Sequence, residues 1–226
     1  MQDGLERSEL GPVRTESAPL RHKINLALRR AIERGVFKPG ERLIEKDLCS
    51  RLNVSRTSLR EALRELEAHQ VIANSTQKGL IVAVLTTADA ENIYRIRAEL
   101  EALIAQQFIE RASPSDLLQL KAAAEKLKAS YMTENIGEIL DSKREFYDRF
   151  CHGAHNPIAF DLLQTLQLRT SHLRSNSFAR ETRRMESIVE ISEIVRCIEN
   201  RDVEGARTAS RKHVYGAMAS AVPAPT

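Results

Sequence analysis

The chain contains no tryptophan and few aromatic residues of any kind, and this scarcity narrows its fold class. Aromatic residues make up 4% of 226 residues, and there are only nine glycines and seven prolines. A β-sandwich or barrel needs aromatic strands and frequent turn residues, so the composition predicts a mostly α-helical protein. No apolar run approaches the roughly 18 residues that span a bilayer, which excludes a membrane protein.

Cysteines are also scarce, and their positions exclude a disulfide framework. Cys49, Cys151 and Cys197 are odd in number, lie far apart and form no CxxC pair. They are typical of reduced thiols in a cytoplasmic protein. Residues 1–19 contain no apolar stretch of the signal-peptide kind, so we expect a cytoplasmic location.

The charged residues divide the chain into three segments. Residues 1–19 are polar, carry a net charge of −2 and are predicted to be a flexible tail. Residues 20–84 carry 13 Lys/Arg against seven Asp/Glu, whereas residues 85–226 carry 19 against 20. We therefore predict a basic domain over residues 20–85 that meets a polyanion, and a nearly neutral domain over residues 86–220 with a separate role.

The basic domain has the pattern of a winged helix-turn-helix. Apolar residues at every fourth position from Leu20 to Ile32 predict a first helix, and a second short helix fits residues 44–52. Ser55 is a good N-cap for a third helix. Two β-branched runs flank a Gly-containing polar stretch at residues 74–79, which predicts a β-hairpin.

Long helices are predicted after residue 85. Thr86 and Ser113 each precede an acidic residue by three positions, the pattern of a capping box, and Asn156-Pro157 begins a further helix. About six helices, with breaks near residues 112, 134, 155, 178 and 201, predict an antiparallel all-α bundle. The expected fold is therefore a winged helix-turn-helix followed by a helical bundle.

The third helix carries polar donors on its first turns, where they can reach base edges in the major groove of DNA. These donors are Ser55, Arg56, Thr57, Ser58 and Arg60. The free N–H groups at the helix N-terminus also suit phosphate. The alternative is that the arginines of this helix only solvate its surface and pair with Glu61 and Glu65.

Two segments of this domain resemble GntR-family bacterial transcription regulators. They are PGERL at residues 39–43 and VSRTSLREALRELE at residues 54–67. The resemblance implies binding to double-stranded operator DNA through Lys46, Ser55, Arg56, Thr57, Ser58 and Arg60, and through a wing that contains Lys78 and Gly79. The wing lacks the arginine that is common in the family, so Lys78 is expected to hold phosphate as a point charge.

The second domain resembles the FCD-type helical bundle of the FadR subfamily. The resemblance lies in residues 93–101, in residues 146–157 and in residues 199–213. Many such proteins hold a divalent metal through one Asp and three His, and the matching positions here are Lys143, Tyr147, Ile191 and His213. Because a lysine cation repels a metal and His213 alone is a ligand, we expect no metal cofactor.

A cationic pocket is predicted in place of the metal. Arg97 interrupts one apolar helical stripe and Arg169 another, and a cation on such a stripe must be paired or bind a ligand. The predicted effector-binding residues are Arg97, Lys143, Tyr147, Arg169 and His213, and the expected ligand is a small anionic metabolite with a carboxylate. The alternative is internal pairing, for example of Arg97 with Glu101.

A homodimeric transcription regulator is the function that these features favour, because a two-fold protein fits a palindromic operator. The resemblance implies that it is a repressor and that the metabolite releases it from the operator. One alternative is a bundle that serves only for dimerisation. Another is a metal-dependent sensor, for which Asp148, His152 and His155 offer a second set of ligands at helical spacing, unless they form a plain helix end. An enzyme is not expected, because no nucleophile elbow, P-loop or dinucleotide-binding glycine pattern is present.

Overall fold

The computed structural model describes residues 18–133, 135–171, 173 and 180–222. Its elements, in chain order, are α1 (Ala18–Glu33), α2 (Glu45–Leu52), α3 (Arg56–Ala68), β1 (Ile72–Ser75), β2 (Gly79–Val82), α4 (Thr87–Arg111), α5 (Pro114–Tyr131), α6 (Ile136–Gly153), α7 (Pro157–Arg169), α8 (Glu181–Glu199) and α9 (Val203–Ala221). The predicted fold class is confirmed: a helix-turn-helix with a two-stranded wing precedes a helical domain.

The core of the N-terminal domain forms where α1 packs against α3. Buried apolar residues recur at every fourth position of α1 and along one face of α3; they are Ile24, Leu28, Ile32, Leu59, Leu63 and Leu66. Leu20 is 42% exposed, so the buried stripe begins one turn later than predicted. Helix α1 begins at Ala18, which corrects the predicted boundary of the tail, and residues 1–17 lie outside the described part of the chain.

Local signals fix the ends of the helix-turn-helix and of the hairpin. Asn53 adopts a left-handed conformation with φ of 51° and ends α2, and the Ser55 hydroxyl accepts a hydrogen bond from the backbone N–H of Ser58 at 3.2 Å. This cap is the one predicted from sequence. In the hairpin, β1 and β2 are antiparallel with Ile72 opposite Val82 and Ser75 opposite Gly79, whose φ of +70° suits glycine at the tight turn.

The C-terminal domain is a bundle in which α4 packs against α9 and α5 packs against α6. Its core contains Phe108, Phe146 and Phe150, all at most 2% exposed. The capping boxes predicted at Thr86 and Ser113 are both present. Most described helix ends lie close to the predicted breaks; the one near residue 178 falls within residues 174–179, outside the described part of the chain.

The two domains contact each other through α1 and the pair α6 and α7. Leu168 of α7 packs into the core of the N-terminal domain. Two ion pairs join the C-terminal end of α1 and the residue that follows it to α6: Glu33 to Arg144 at 2.5 Å and Arg34 to Asp141 at 3.1 Å. The helical domain therefore touches the winged helix-turn-helix domain directly. Within the described residues, none of the helices combines the length and apolar character that a membrane crossing requires.

Candidate DNA-recognition surface and effector site

The N-terminal turn of α3 presents the predicted DNA-binding side chains to solvent. Ser55, Arg56, Thr57 and Arg60 are exposed and Ser58 is half-buried, while Lys46 is exposed on α2. The opposite face of α3 is fixed by Leu59 and Leu63 in the core. Because one face is held rigidly, the other face can enter a groove of DNA as a preformed surface.

Glu45 of α2 holds one of these arginines in place, a role that sequence reasoning missed. The Nε of Arg60 donates to both carboxylate oxygens of Glu45, at 3.1 Å and 3.0 Å. In the described structure the terminal nitrogens of Arg60 make no hydrogen bond, so they remain available to a base or phosphate. Glu45 directly precedes Lys46, which is a predicted DNA-binding residue. This position is the signal in the sequence that could have suggested a role for Glu45.

The alternative in which the α3 arginines pair along their own helix is not what the described residues show. Glu65 lies 3.9 Å from Arg21 and 3.8 Å from Arg29, both on α1. In this part of the structure, no ion pair joins Arg56 to Glu61 or Glu65. The cationic groups of the recognition turn therefore face solvent.

The wing places one cation at its tip. The backbone N–H of Lys78 donates to the Ser75 hydroxyl at 3.4 Å, which closes the turn, and the Lys78 side chain is exposed. Gly79 follows it as the first residue of β2. An exposed ammonium at a hairpin tip suits a phosphate contact without base selectivity.

A buried ion pair occupies the helical domain. Arg97 is 1% exposed and donates to Glu101 Oε1 from Nη2 at 2.8 Å and from Nε at 3.2 Å. The hydroxyl of Tyr147 donates to the other oxygen, Oε2, at 2.8 Å. Burial and the Glu101 carboxylate raise the pKa of Tyr147 well above 10, so its hydroxyl stays protonated. The internal pairing weighed as an alternative therefore exists, although Nη1 of Arg97 is buried with no hydrogen-bond partner among the described residues.

A second buried network surrounds His213. Its Nδ1 lies 2.7 Å from Glu190 Oε2, and Arg183 donates to both oxygens of Glu190 at 2.9 Å and 2.6 Å. Because a carboxylate only accepts, Nδ1 carries the proton. Burial alone raises the pKa of Glu190, but the hydrogen bonds from His213 and Arg183 outweigh it and lower that pKa to about 2. Sequence reasoning missed both partners, although Glu190 directly precedes one of the positions matched to a metal ligand.

Lys143 lies close to both networks. It is 3% exposed, and its Nζ is 5.8 Å from the centroid of the Tyr147 ring. Burial lowers the pKa of His213, and the charge of Lys143 lowers it further. Four of the five predicted effector residues, Arg97, Lys143, Tyr147 and His213, are thus buried together in the domain.

No contact among the described residues joins Arg169 to these four. It is the last residue of α7, and its charge acts on Asp89 in the first turn of α4. Asp89 precedes Arg97 by eight positions, about 12 Å along a helix. Leu162, an apolar residue at helical spacing from Arg169, is 54% exposed, so the stripe that these two residues share is not the buried face of α7. The described contacts do not bring Arg169 to the cluster, and its effector role stays a prediction.

The residues present do not fit a metal. At the positions matched to the metal ligands, Lys143 is a cation, Tyr147 is held protonated and Ile191 has no donor. The second set considered, Asp148 with His152 and His155, is not assembled either: both histidines face Asp116 instead, at 3.6 Å and 4.0 Å. Across the described residues, no three His, Cys, Asp or Glu side chains are grouped so that they could hold a metal ion.

The buried histidine predicts how the stability of the fold depends on pH. Burial lowers the pKa of His213 below 6.5, the value of an unfolded histidine, so the unfolded chain takes up this proton first. We expect the contribution of neutral His213 to the free energy of unfolding to be complete above about pH 6.5. This contribution should be lost as the pH is lowered towards the pKa of His213 in the folded protein. Urea titrations at several pH values measure this.

The variant His213→Asn isolates that effect, because its amide can still donate to Glu190 but does not titrate. The slope of stability against pH just below 6.5 should be smaller in His213→Asn than in the wild type. Equal slopes in the two proteins would assign the effect to other groups.

The fold and these surfaces define a class of protein: a winged helix-turn-helix regulator with a helical C-terminal domain. The family model for bacterial regulatory proteins of the gntR family matches residues 20–82, and the model for the FCD domain matches residues 92–216. The chain therefore belongs to the GntR family of bacterial regulatory proteins with an FCD domain.

Several known regulators are similar to it. YdhC of Bacillus subtilis, an HTH-type transcriptional regulator, is 33% identical over 138 residues, which cover 61% of this chain and 62% of YdhC. McbR of Escherichia coli is 30% identical over 142 residues, which cover 63% of this chain and 64% of McbR. The matched segment thus spans less than two thirds of either relative.

Two further similarities to known proteins cover most of the chain. A solved structure of Escherichia coli McbR/YncC superposes with a TM-score of 0.79 at 25% identity, over 87% of this chain and 93% of that chain. The transcriptional repressor RspR of Escherichia coli is 24% identical over 196 residues, which cover 87% of this chain and 86% of RspR.

Proposed function

We propose that the protein is a cytoplasmic transcriptional repressor of the FadR type, which binds palindromic operator DNA as a homodimer and is released by a small anionic metabolite. The observation that carries the DNA-binding role is the exposed, cationic N-terminal turn of α3, capped by Ser55 and backed by the core. The likeness to RspR, described as a repressor, supports the direction of control.

Each part of the DNA-binding surface has a distinct task in this proposal. Arg56 and Arg60 reach base edges in the major groove, since the terminal nitrogens of an arginine match the two acceptors of guanine. Lys46, Ser55, Thr57 and Ser58 contact phosphates and set the register of α3. Lys78 and Gly79 place the wing against the neighbouring backbone. Two copies of this surface in a homodimer would read the two half-sites of a palindrome.

The Lys78→Ala variant separates phosphate binding from base reading. We expect it to weaken binding to the DNA sequence that the protein selects from a random pool and to unrelated DNA by a similar factor. The slope of log affinity against log salt should become shallower by about one unit for each subunit's contact. Fluorescence anisotropy at several salt concentrations measures both. A loss confined to the selected sequence would contradict the phosphate role.

The effector role rests on an unsatisfied donor in the buried cluster. In the described structure Arg97 Nη1 is buried there with no hydrogen-bond partner, although Glu101 accepts from the other nitrogens of this guanidinium. A buried cationic donor without an acceptor favours an anionic ligand. A ligand that binds the two domain arrangements unequally shifts the population that fits both half-sites.

A thermal-shift screen of small carboxylates, sugar acids, aromatic acids and phosphorylated metabolites, each with and without a chelator, tests the effector. A ligand that raises the melting temperature with the chelator present and releases the selected DNA is the expected result. Loss of the shift on chelation would point instead to a metal-dependent sensor.

A second candidate role for the helical domain is dimerisation alone. The pairing of Arg97 with Glu101 favours it, because an arginine that is already neutralised needs no ligand. Absence of any stabilising compound in the screen, together with a dimer in solution, would select this alternative.

A further inference from the structure

A cleft separates the DNA-binding domain from the helical domain, between α1 on one side and α6 and α7 on the other. Its volume is about 120 Å³. Basic and polar side chains from all three helices line it, among them Arg29, Arg30, Lys143, Arg144 and Gln167. A cavity of about 150 Å³ holds benzene, so this cleft suits a molecule of a few heavy atoms.

The polar groups of the cleft that lack a hydrogen-bond partner are donors. Arg29 Nε and Gln167 Nε2 are buried with no hydrogen-bond partner among the described residues. Burial lowers the pKa of Arg29, and the nearby carboxylates of Glu65 and Glu33 offset this only in part. Arg30, which also lines the cleft, is exposed. Buried donors without acceptors are costly, and an anion would satisfy them.

The acidic residues of the cleft leave these two donors unsatisfied. The carboxylate of Glu33 is 13% exposed and already pairs with Arg144 at 2.5 Å. Asp148 also lines the cleft, and burial raises its pKa. Arg29 pairs with Glu65 through Nη2 at 3.8 Å, so the cleft lacks acceptors for Arg29 Nε and Gln167 Nε2.

In the buried cluster of the helical domain, the protein's own side chains already satisfy part of the hydrogen-bonding capacity. The Glu101 carboxylate there already takes hydrogen bonds from Arg97 and Tyr147. The cleft shares Lys143 and Tyr147 with that cluster and also contains two donors, Arg29 Nε and Gln167 Nε2, that have no hydrogen-bond partner among the described residues. An incoming anion would satisfy both.

We propose that this cleft binds a small carboxylate that contacts Arg29 and Arg30 of α1 and Lys143 and Gln167 of α6 and α7. The bound carboxylate competes with Glu33 for Arg144 and so changes how α1 is held against α6. The expected consequence of this binding is altered DNA affinity, and that consequence rests on the proposed function.

The position of the cleft lets a bound ligand contact both domains and so affect the DNA-binding domain. Helix α1 packs against α3, and the ion pair between Glu33 and Arg144 lies at the end of α1 that meets α6. A ligand that contacts both domains binds one of their arrangements more tightly than another, which is what a shift in population requires.

The test uses pyruvate, malonate and succinate, with inorganic phosphate for comparison, each titrated calorimetrically into the full-length protein. At least one carboxylate is expected to bind, and Arg30→Gln and Gln167→Leu should each weaken it about tenfold. Lys23→Gln, an exposed cation of α1 outside the cleft, is the matched control and should bind as the wild type does.

Binding of phosphate alone would overturn the carboxylate class, and equal affinities in Arg30→Gln and Lys23→Gln would overturn the site. Binding of the selected DNA, measured without ligand, separates these failures from a failure of the proposed function. If the protein reads DNA but no carboxylate binds in the cleft, only the cleft proposal fails. A carboxylate that binds there without changing DNA affinity would refute the coupling.

Discussion

The variant Glu101→Gln is expected to lower the free energy of unfolding by about 3–5 kcal/mol. Glu101 is 2% exposed and neutralises Arg97, which is 1% exposed. Removing the carboxylate charge leaves a guanidinium in the protein interior without its counter-charge, and Tyr147 loses its charged acceptor. Equilibrium urea denaturation measures the loss.

Two comparisons show whether the unpaired charge causes that loss. Glu99→Gln, on the same helix, breaks an ion pair with Arg211 in which Glu99 is 62% exposed, and it should leave stability close to that of the wild type. The double variant Arg97→Met with Glu101→Gln removes the buried cation as well. It should recover most of the stability, because an apolar side chain of similar length replaces the unpaired charge. Equal destabilisation of the single and double variants would contradict this explanation.

The variant Arg56→Ala is expected to remove most of the preference for the selected DNA over unrelated DNA. Arg56 is the first residue of α3 and is exposed. Loss of a bidentate contact to guanine costs about 1–3 kcal/mol of discrimination, and a homodimer makes the contact in both half-sites. Anisotropy titrations with the selected duplex and a scrambled duplex give the ratio of affinities.

Arg64→Ala is the matched control for this effect. Arg64 is also an exposed arginine of α3 but lies eight positions further along, about 12 Å from the N-terminal turn. It should change both affinities modestly and leave their ratio intact. An unchanged ratio in Arg56→Ala, or an equal loss in Arg64→Ala, would remove the special role of the first turn.

Local signals in the sequence predicted the helix boundaries well. The caps at Ser55, Thr86 and Ser113 depend on residues three positions apart, and each is present in the structure. The hairpin around Gly79 follows from a glycine between two β-branched runs. These features need no information from distant parts of the chain, so the order of elements could be read directly.

Contacts between distant elements were not predictable in this way. Glu45 contacts Arg60, which is 15 positions away in the sequence, and Glu190 contacts His213, which is 23 positions away. No periodic pattern in the sequence indicates either contact. His152 and His155 point to Asp116 on α5 rather than to Asp148 on α6, because α5 packs beside α6. For Arg169, no described contact reaches the buried cluster, and its effector role stays a prediction.

The buried polar cluster is an intermediate case. Helical spacing placed Arg97 on an apolar stripe, and the resemblance matched Lys143 and Tyr147 to positions of metal ligands; all three residues are buried. The i,i+4 spacing also suggested Glu101 as the partner of Arg97, which the structure shows at 2.8 Å. The sequence could not indicate that α1 approaches α6 and α7, and the cleft between the domains therefore emerged only from the structure.

The DNA-reading role of α3 can be tested by letting the purified protein select DNA from a pool of random duplexes. We expect enrichment of a palindrome whose half-sites are read by the two α3 helices, and loss of that enrichment with Arg56→Ala. Recovery of DNA without any shared sequence, or the same palindrome with Arg56→Ala, would contradict it.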